Sequence, residues 1–173
     1  MINVRDLYLD VLLGLGESFE RVHSDEEILR GINTVNRYIG LALINLGSDY
    51  IKKSLTIANK EAGVSLPSNY AAFVGWDCDT PPDKWKIMGN KIYIEDSHVS
   101  SATLIYLYML PDITDLDDTI NLPYLFYQMF VRFIVGLFNG DLAQDTLGQK
   151  IIAETETVIQ SDVPISRPLQ FSL

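Results

Sequence analysis

Apolar and polar positions alternate with two different periods along this chain. Near the N-terminus and over the last third, apolar residues recur at three- and four-residue spacing, which is typical of amphipathic helices. Between these parts, short runs alternate with a period of two, which is typical of strands. The pattern predicts helices at about 3–14, 25–46, 122–139 and 141–160, and a β insertion at about 50–110.

Several helix ends carry recognisable signals. Ser24, followed three residues later by Glu27, has the spacing of a capping box, in which each side chain satisfies a backbone N–H of the other residue. Gly47 is placed to end the second helix. Pro123 suits the first turn of a helix, and the segment 124–138 behind it is apolar on nearly every face, which predicts a central helix.

The strongest local β signal is a hairpin. Two alternating runs, 85–88 and 91–95, are joined by Gly89 and Asn90, and glycine supplies the positive backbone angle that a two-residue turn needs. Further strands are predicted at 54–58, 64–67, 70–76 and 102–110.

These elements predict a mainly helical α+β fold. We expect a four-helix bundle with a small antiparallel sheet or hairpin inserted between the second and third helices. One domain would span residues 1–160, and the proline-punctuated segment 161–173 would form an extended C-terminal arm.

Composition narrows the function classes. The 173 residues are 47% hydrophobic and carry a formal net charge of -10, with 13 basic against 23 acidic side chains. A globular protein is expected, and an adhesive phosphate-binding surface is not, because nucleic-acid binders cluster Lys and Arg. Cys78 is the single cysteine, so an intrachain disulfide is excluded and a reducing compartment is expected. No apolar run is long enough to suggest a membrane span, and no convincing signal peptide opens the chain.

Candidate chemistry is sparse. His23 and His98 lie in predicted polar loops without a metal-ligand partner at helical spacing, so surface positions are expected for both. Acidic residues crowd the loops 77–83 and 112–118, where a divalent cation is conceivable and a solvated loop is the favoured interpretation. We therefore expect no catalytic residue, no cofactor and no metal site, and we predict that the protein is not an enzyme.

Aromatic residues in the β insertion allow two interpretations. Trp76, Trp85 and Tyr93 could form a stacking platform for bases, as in single-strand binders. The acidic composition opposes this, and packing of a small sheet onto helices explains them more simply.

The order of short motifs resembles the head-to-tail adaptor, or connector, proteins of tailed bacteriophages. The resemblance covers about residues 25–160 and depends on the order and spacing of the motifs more than on any one of them. The motifs are Val35-Asn36-Arg37, Val64-Ser65-Leu66-Pro67-Ser68-Asn69-Tyr70, the hairpin, Ile105-Tyr106-Leu107-Tyr108-Met109-Leu110-Pro111, Asp117-Asp118, Asn121-Leu122-Pro123 and Asn139-Gly140-Asp141.

This resemblance implies a structural virion protein in the neck, between the portal and the tail, that is assembled in the host cytoplasm. Subunits would form a ring, commonly of twelve, that extends the DNA channel, and DNA would pass without specific binding. The partners would be the portal protein and tail or nozzle proteins. The portal-binding arm would use Ile165, Leu169, Phe171 and Leu173, and the tail-facing hairpin and loop would use Trp85, Met88, Gly89, Asn90 and Tyr93.

Two other classes stay open at this point. An acidic cytoplasmic binding or inhibitory module could mimic nucleic acid, and a small hydrolase could build its site between subunits. Oligomeric state, alone and with a portal protein, would discriminate between the adaptor and the binding module. The hydrolase would require loss of turnover when a His or Asp is replaced.

Overall fold

Helices lie before and after the strand-rich middle of the described residues. The computed structural model describes residues 1–17, 22–58 and 62–162, and four α-helices lie in these ranges. They are α1 (Val4–Gly14), α2 (Asp25–Asn45), α3 (Tyr127–Phe138) and α4 (Gln144–Asp162). A single turn of 3₁₀-helix, Tyr124–Phe126, leads into α3, so the regular helix begins later than Pro123 suggested.

The predicted capping box of α2 is confirmed. The Ser24 hydroxyl accepts a hydrogen bond from the Glu27 amide at 3.3 Å, and the Glu27 carboxylate accepts one from the Ser24 amide at 2.8 Å. At the other end, Gly47 has a φ of +63° and lets the Ser48 amide donate back to the Leu43 carbonyl at 3.0 Å. Both ends of the longest helix therefore follow from local sequence.

The described strands form three antiparallel sheets. The first pairs β1 with β8, the second has the order β2-β7-β4, and the third has the order β3-β6-β5. The strands are β1 (Ile2–Asn3), β2 (Lys52–Ile57), β3 (Val64–Ser65), β4 (Tyr70–Trp76), β5 (Trp85–Met88), β6 (Lys91–Ile94), β7 (Ala102–Tyr108) and β8 (Thr119–Ile120).

Strand β7 is the centre of the second sheet. Lys52 pairs with Leu107 on one side, and Phe73 pairs with Tyr106 on the other. The ladder with β4 shifts register twice, between Tyr70 and Ala72 and between Phe73 and Gly75, as β-bulges do. A bulged outer strand is a poor template for further pairing, so this edge of the sheet is protected.

The predicted four-helix bundle is wrong. α1 packs on α3, and α2 packs on both α3 and α4, but side chains from the strands belong to the same core. Ile57, Ile92 and Leu104 are fully buried in that core, so the fold is a mixed α+β structure with substantial sheet. Helical periodicity identified the apolar faces but not their partners, because a helix can bury its face against strands as well as against helices.

The N-terminus is tied to the segment that precedes α3. Ile2 pairs with Ile120, and Asn3 with Thr119, in a two-residue ladder that the sequence patterns did not predict. The Val4 amide donates to the Asp118 carbonyl at 3.2 Å, and Ile2 is fully buried. Residues more than a hundred positions apart thereby join the start of the chain to its last third.

The last described helix runs past the predicted boundary between domain and arm. The arm predicted at 161–173 begins inside a helix, because α4 continues through Asp162, and residues 163–173 lie outside the described residues.

Among the helices that are described, none is both long enough and apolar enough to cross a membrane.

Candidate protein-binding surfaces

The β5–β6 hairpin lies at the edge of its sheet. β6 pairs with β3 on one side and with β5 on the other, so β5 is an outer strand. The turn is the predicted one, with Met88 opposite Lys91 and Gly89 at a φ of +61°. At its end the side chains of Ile87 and Met88 are 38% and 58% exposed. Large apolar side chains are therefore presented beside an open strand edge.

The base of the hairpin is held by aromatic packing. The Trp85 ring lies 4.6 Å from the Phe73 ring and 5.7 Å from the Trp76 ring, centroid to centroid. Because Phe73 and Trp76 belong to β4, these contacts join the third sheet to the second. This agrees with packing, and not base stacking, as the role of the tryptophans.

The five residues expected to face the tail have two different environments. Met88, Gly89 and Asn90 are exposed at the tip, whereas Trp85 and Tyr93 are half-buried. Tyr93 packs over Gly63, where an added Cβ would lie only 2.5 Å from a ring carbon. Trp85 and Tyr93 therefore fix the hairpin in place, and the tip is the part that can meet another molecule.

The residues expected to bind a portal belong to the C-terminal segment. These four residues lie outside the described ranges: Ile165, Leu169, Phe171 and Leu173.

The acidic loop 112–118 is organised by its own carboxylates. Asp112 forms two hydrogen bonds with the Arg37 guanidinium, at 2.9 and 2.7 Å, and these hold the pKa of Asp112 below its usual range. The Asp118 carboxylate accepts from the Thr114 and Asp115 amides at 2.8 and 3.0 Å, which lowers its pKa as well. Asp117 pairs with Arg5 at 2.7 Å. These acids thus stabilise the loop and attach it to α1 and α2.

Asparagines of α2 support the same loop. Asn33 donates to the Ile113 carbonyl at 2.8 Å and accepts from the Ile113 amide at 2.7 Å. Asn36, which is fully buried, donates to the Pro111 carbonyl at 2.9 Å. The Asn36-Arg37 pair in the adaptor-like motif therefore has a structural role: it fastens α2 to the segment that follows β7.

The His23 side chain differs from the expected surface position. Its ring packs edge-on against Phe138 at 4.6 Å, is 24% exposed, and contacts the buried carboxylate of Glu17. Burial opposes ionisation of Glu17, but hydrogen bonds from His23 and Val22 outweigh it, so the pKa of Glu17 lies below its usual value. Within the described ranges, no group of three or more His, Cys, Asp or Glu residues is placed to hold a metal ion.

A groove between α3 and α4 was not anticipated. Its volume is about 990 Å³, and its apolar lining comes mainly from Val131 and Val135 of α3, Leu142, and Val158 of α4. Its walls also carry charged groups, which are Arg132, Asp141, Lys150 and Glu154. The sequence signal for this groove was the apolar character of 124–138 on nearly every face, because α4 covers only part of the surface of α3. We name this feature the α3–α4 groove.

Comparison with known proteins adds no relative. Neither the models of known protein families nor the curated proteins searched give a match to this chain.

Proposed function

We propose that this chain is a non-enzymatic structural protein that acts as a head-to-tail adaptor in a tailed bacteriophage. Its subunits assemble as a ring under the portal, the segment 161–173 binds the portal protein, and the hairpin tip binds a tail or nozzle protein. The order of sequence motifs supports the family assignment, and the exposed hairpin supports the assembly role.

The observation that carries the proposal is the outer strand β5 with its apolar tip. An outer strand offers unpaired backbone groups to a partner strand, and soluble proteins usually protect such edges with bulges or charge. β4 is protected in this way by its register shifts, whereas β5 pairs with β6 without a register shift and ends in exposed Ile87 and Met88. Its one charged side chain, Lys86, is paired with Glu95 of the same hairpin. Apolar side chains beside an open edge suit strand addition by a protein partner.

The carboxylates of the loop 112–118 are poorly suited to a nucleic-acid mimic. A mimic needs carboxylates that are free to meet a basic partner, yet Asp112 and Asp117 are paired with Arg37 and Arg5. The Asp118 carboxylate accepts hydrogen bonds from backbone amides of its own loop. For a channel through which DNA moves, the remaining negative charge is an advantage, because it opposes adhesion.

The test of ring assembly is co-expression of the full chain with the portal protein of its own virion. Negative-stain images and native mass should show a discrete ring of this chain on the portal. A chain that stays monomeric and does not bind the portal would contradict the proposal.

The hairpin is tested separately with two variants in the full chain. Replacing the tip in Ile87→Ser/Met88→Ser should leave the portal ring intact and weaken capture of the tail protein at least ~10-fold, which corresponds to ~1.4 kcal/mol. Val74→Ser is the matched control, because Val74 is a 42% exposed apolar residue on β4 and away from the tip. If both variants lose the same affinity for the tail protein, the hairpin tip is not part of the interface.

A further inference from the structure

We propose that the α3–α4 groove binds residues 163–173 of the same chain. The groove would then be an intramolecular docking site for the C-terminal segment, in addition to any role of that segment in portal binding. Three features carry this inference: the chemistry of the groove, the point at which the chain leaves α4, and the balance of charge.

The groove is chemically suited to an apolar peptide. At about 990 Å³ it is at the upper end of the range for ligand pockets, ~300–1,000 Å³, and its floor is made of aliphatic side chains. Gly14 and Gly136 contribute to the lining, and an added Cβ at either would lie 2.8 Å from Val135 or Leu142. The segment 163–173 supplies matching residues, since Ile165, Leu169, Phe171 and Leu173 are apolar and only Arg167 has a charged side chain.

The C-terminal end of α4 lies close to the groove. α4 ends at Asp162, one helical turn beyond Val158, which is a lining residue. The lining continues back along α4 to Lys150, about 18 Å from residue 162 at 1.5 Å per residue. An extended chain advances about 3.3 Å per residue, so residues 163–169 can run back along α4 as far as Lys150. Tethering also gives the segment a high effective concentration at this site.

The charges of the groove favour this occupant over a strongly basic one. The protein carries a net charge of -10, but the charged lining residues balance, with Arg132 and Lys150 against Asp141 and Glu154. Arg132 and Glu154 form an ion pair with each other. A nearly neutral apolar groove on an acidic protein matches an apolar segment with one cation, and Asp141 is an available carboxylate for Arg167.

Portal binding by the same segment, which rests on the proposed function, would compete with docking in the groove. Side chains of 163–173 that lie in the groove cannot bind a portal at the same time.

Disulfide trapping in the isolated full chain tests the docking without any portal. In a Cys78→Ser background, Leu169→Cys is combined with Lys150→Cys, which lines the groove, or with Gln149→Cys as the control. Gln149 and Lys150 are both exposed neighbours on α4, about 100° apart around the helix, and only Lys150 lines the groove. A disulfide requires Cα atoms about 4.4–6.8 Å apart, so trapping reports close approach.

Docking predicts an intrachain disulfide with Lys150→Cys that forms at least ~10-fold faster than with Gln149→Cys, seen as monomers of increased mobility on a non-reducing gel. Adding Ile165→Ser and Phe171→Ser should abolish the difference. Equal rates for the two positions would overturn the inference, and so would covalent dimers, which would assign the groove to a second copy. Portal binding is measured apart from this, so either proposal can fail alone.

Discussion

Asn33 shows how a single polar side chain can fix a loop that the sequence marks only as acidic. Its amide group forms a donor and an acceptor contact with the backbone of Ile113, as a neighbouring strand would. Arg37 and Asp112 add a two-bonded ion pair one helical turn away. That pair is half-exposed on both sides, so the neutral amide contacts are the better candidates for stability.

We therefore expect Asn33→Ala to lower the free energy of unfolding by ~1–3 kcal/mol, because it leaves two backbone groups of Ile113 without their partner. Thr34→Ala is the control, since the Thr34 hydroxyl is exposed and donates only to a carbonyl of its own helix, that of Arg30. Its effect should stay within ~0.5 kcal/mol. Urea unfolding followed by circular dichroism gives both values, and similar losses would show that the Asn33 contacts are not stabilising.

Among the elements, the third sheet depends on two glycines with positive φ. Gly63, which precedes β3, has a φ of +67°, and Gly89 at the hairpin turn has a φ of +61°. The backbone conformation is nearly the same, but the surroundings are not. A Cβ at Gly63 would meet the Tyr93 ring, whereas at Gly89 no atom lies within 4 Å.

This pair separates backbone strain from packing. Gly89→Ala should cost about 1–2 kcal/mol from the left-handed conformation alone. Gly63→Ala should cost a further ~1–3 kcal/mol, because the Tyr93 ring has to move. Thermal or urea unfolding measures both, and Tyr93→Ala should reduce the penalty of Gly63→Ala but not that of Gly89→Ala. If the two substitutions lower the free energy of unfolding equally, the Tyr93 ring moves aside without an energetic penalty.

For the whole molecule, the two-residue ladder between β1 and β8 closes the fold. Ile2 and Ile120 face each other and are 0% and 2% exposed, and Arg5 and Asp117 form an ion pair nearby. So short a ladder contributes few hydrogen bonds. Its value lies in burying Ile2 within the common core.

Ile2→Ala should accordingly destabilise the protein by ~2–5 kcal/mol, the usual cost of removing a large buried aliphatic side chain. Leu13→Ala is the matched comparison in α1, because Leu13 is 68% exposed and its loss should change stability by less than ~0.5 kcal/mol. Equilibrium urea unfolding measures both. A tolerated Ile2→Ala would mean that the N-terminal ladder is dispensable to the fold.

Local patterns predicted the parts of this protein that local physics controls. The capping box at Ser24, the glycine end at Gly47 and the turn at Gly89 and Asn90 are all confirmed, because each depends on residues within a few positions. The environment of His23 was not predictable, since it is made by Glu17 and by Phe138, which is distant in sequence.

By itself the sequence determined the four α-helices, the hairpin and the longer strands to within a few residues, and which of their faces are apolar. Only the tertiary structure decided that those faces meet in a mixed α+β core, that the N-terminal residues pair with β8, and that α3 leaves a groove beside α4. The physical reason is that hydrogen bonding and turn geometry act over a few residues, whereas burial depends on which distant apolar faces come together. The same periodicity satisfies a bundle and a helix-on-sheet core equally well, so the pattern alone could not select between them.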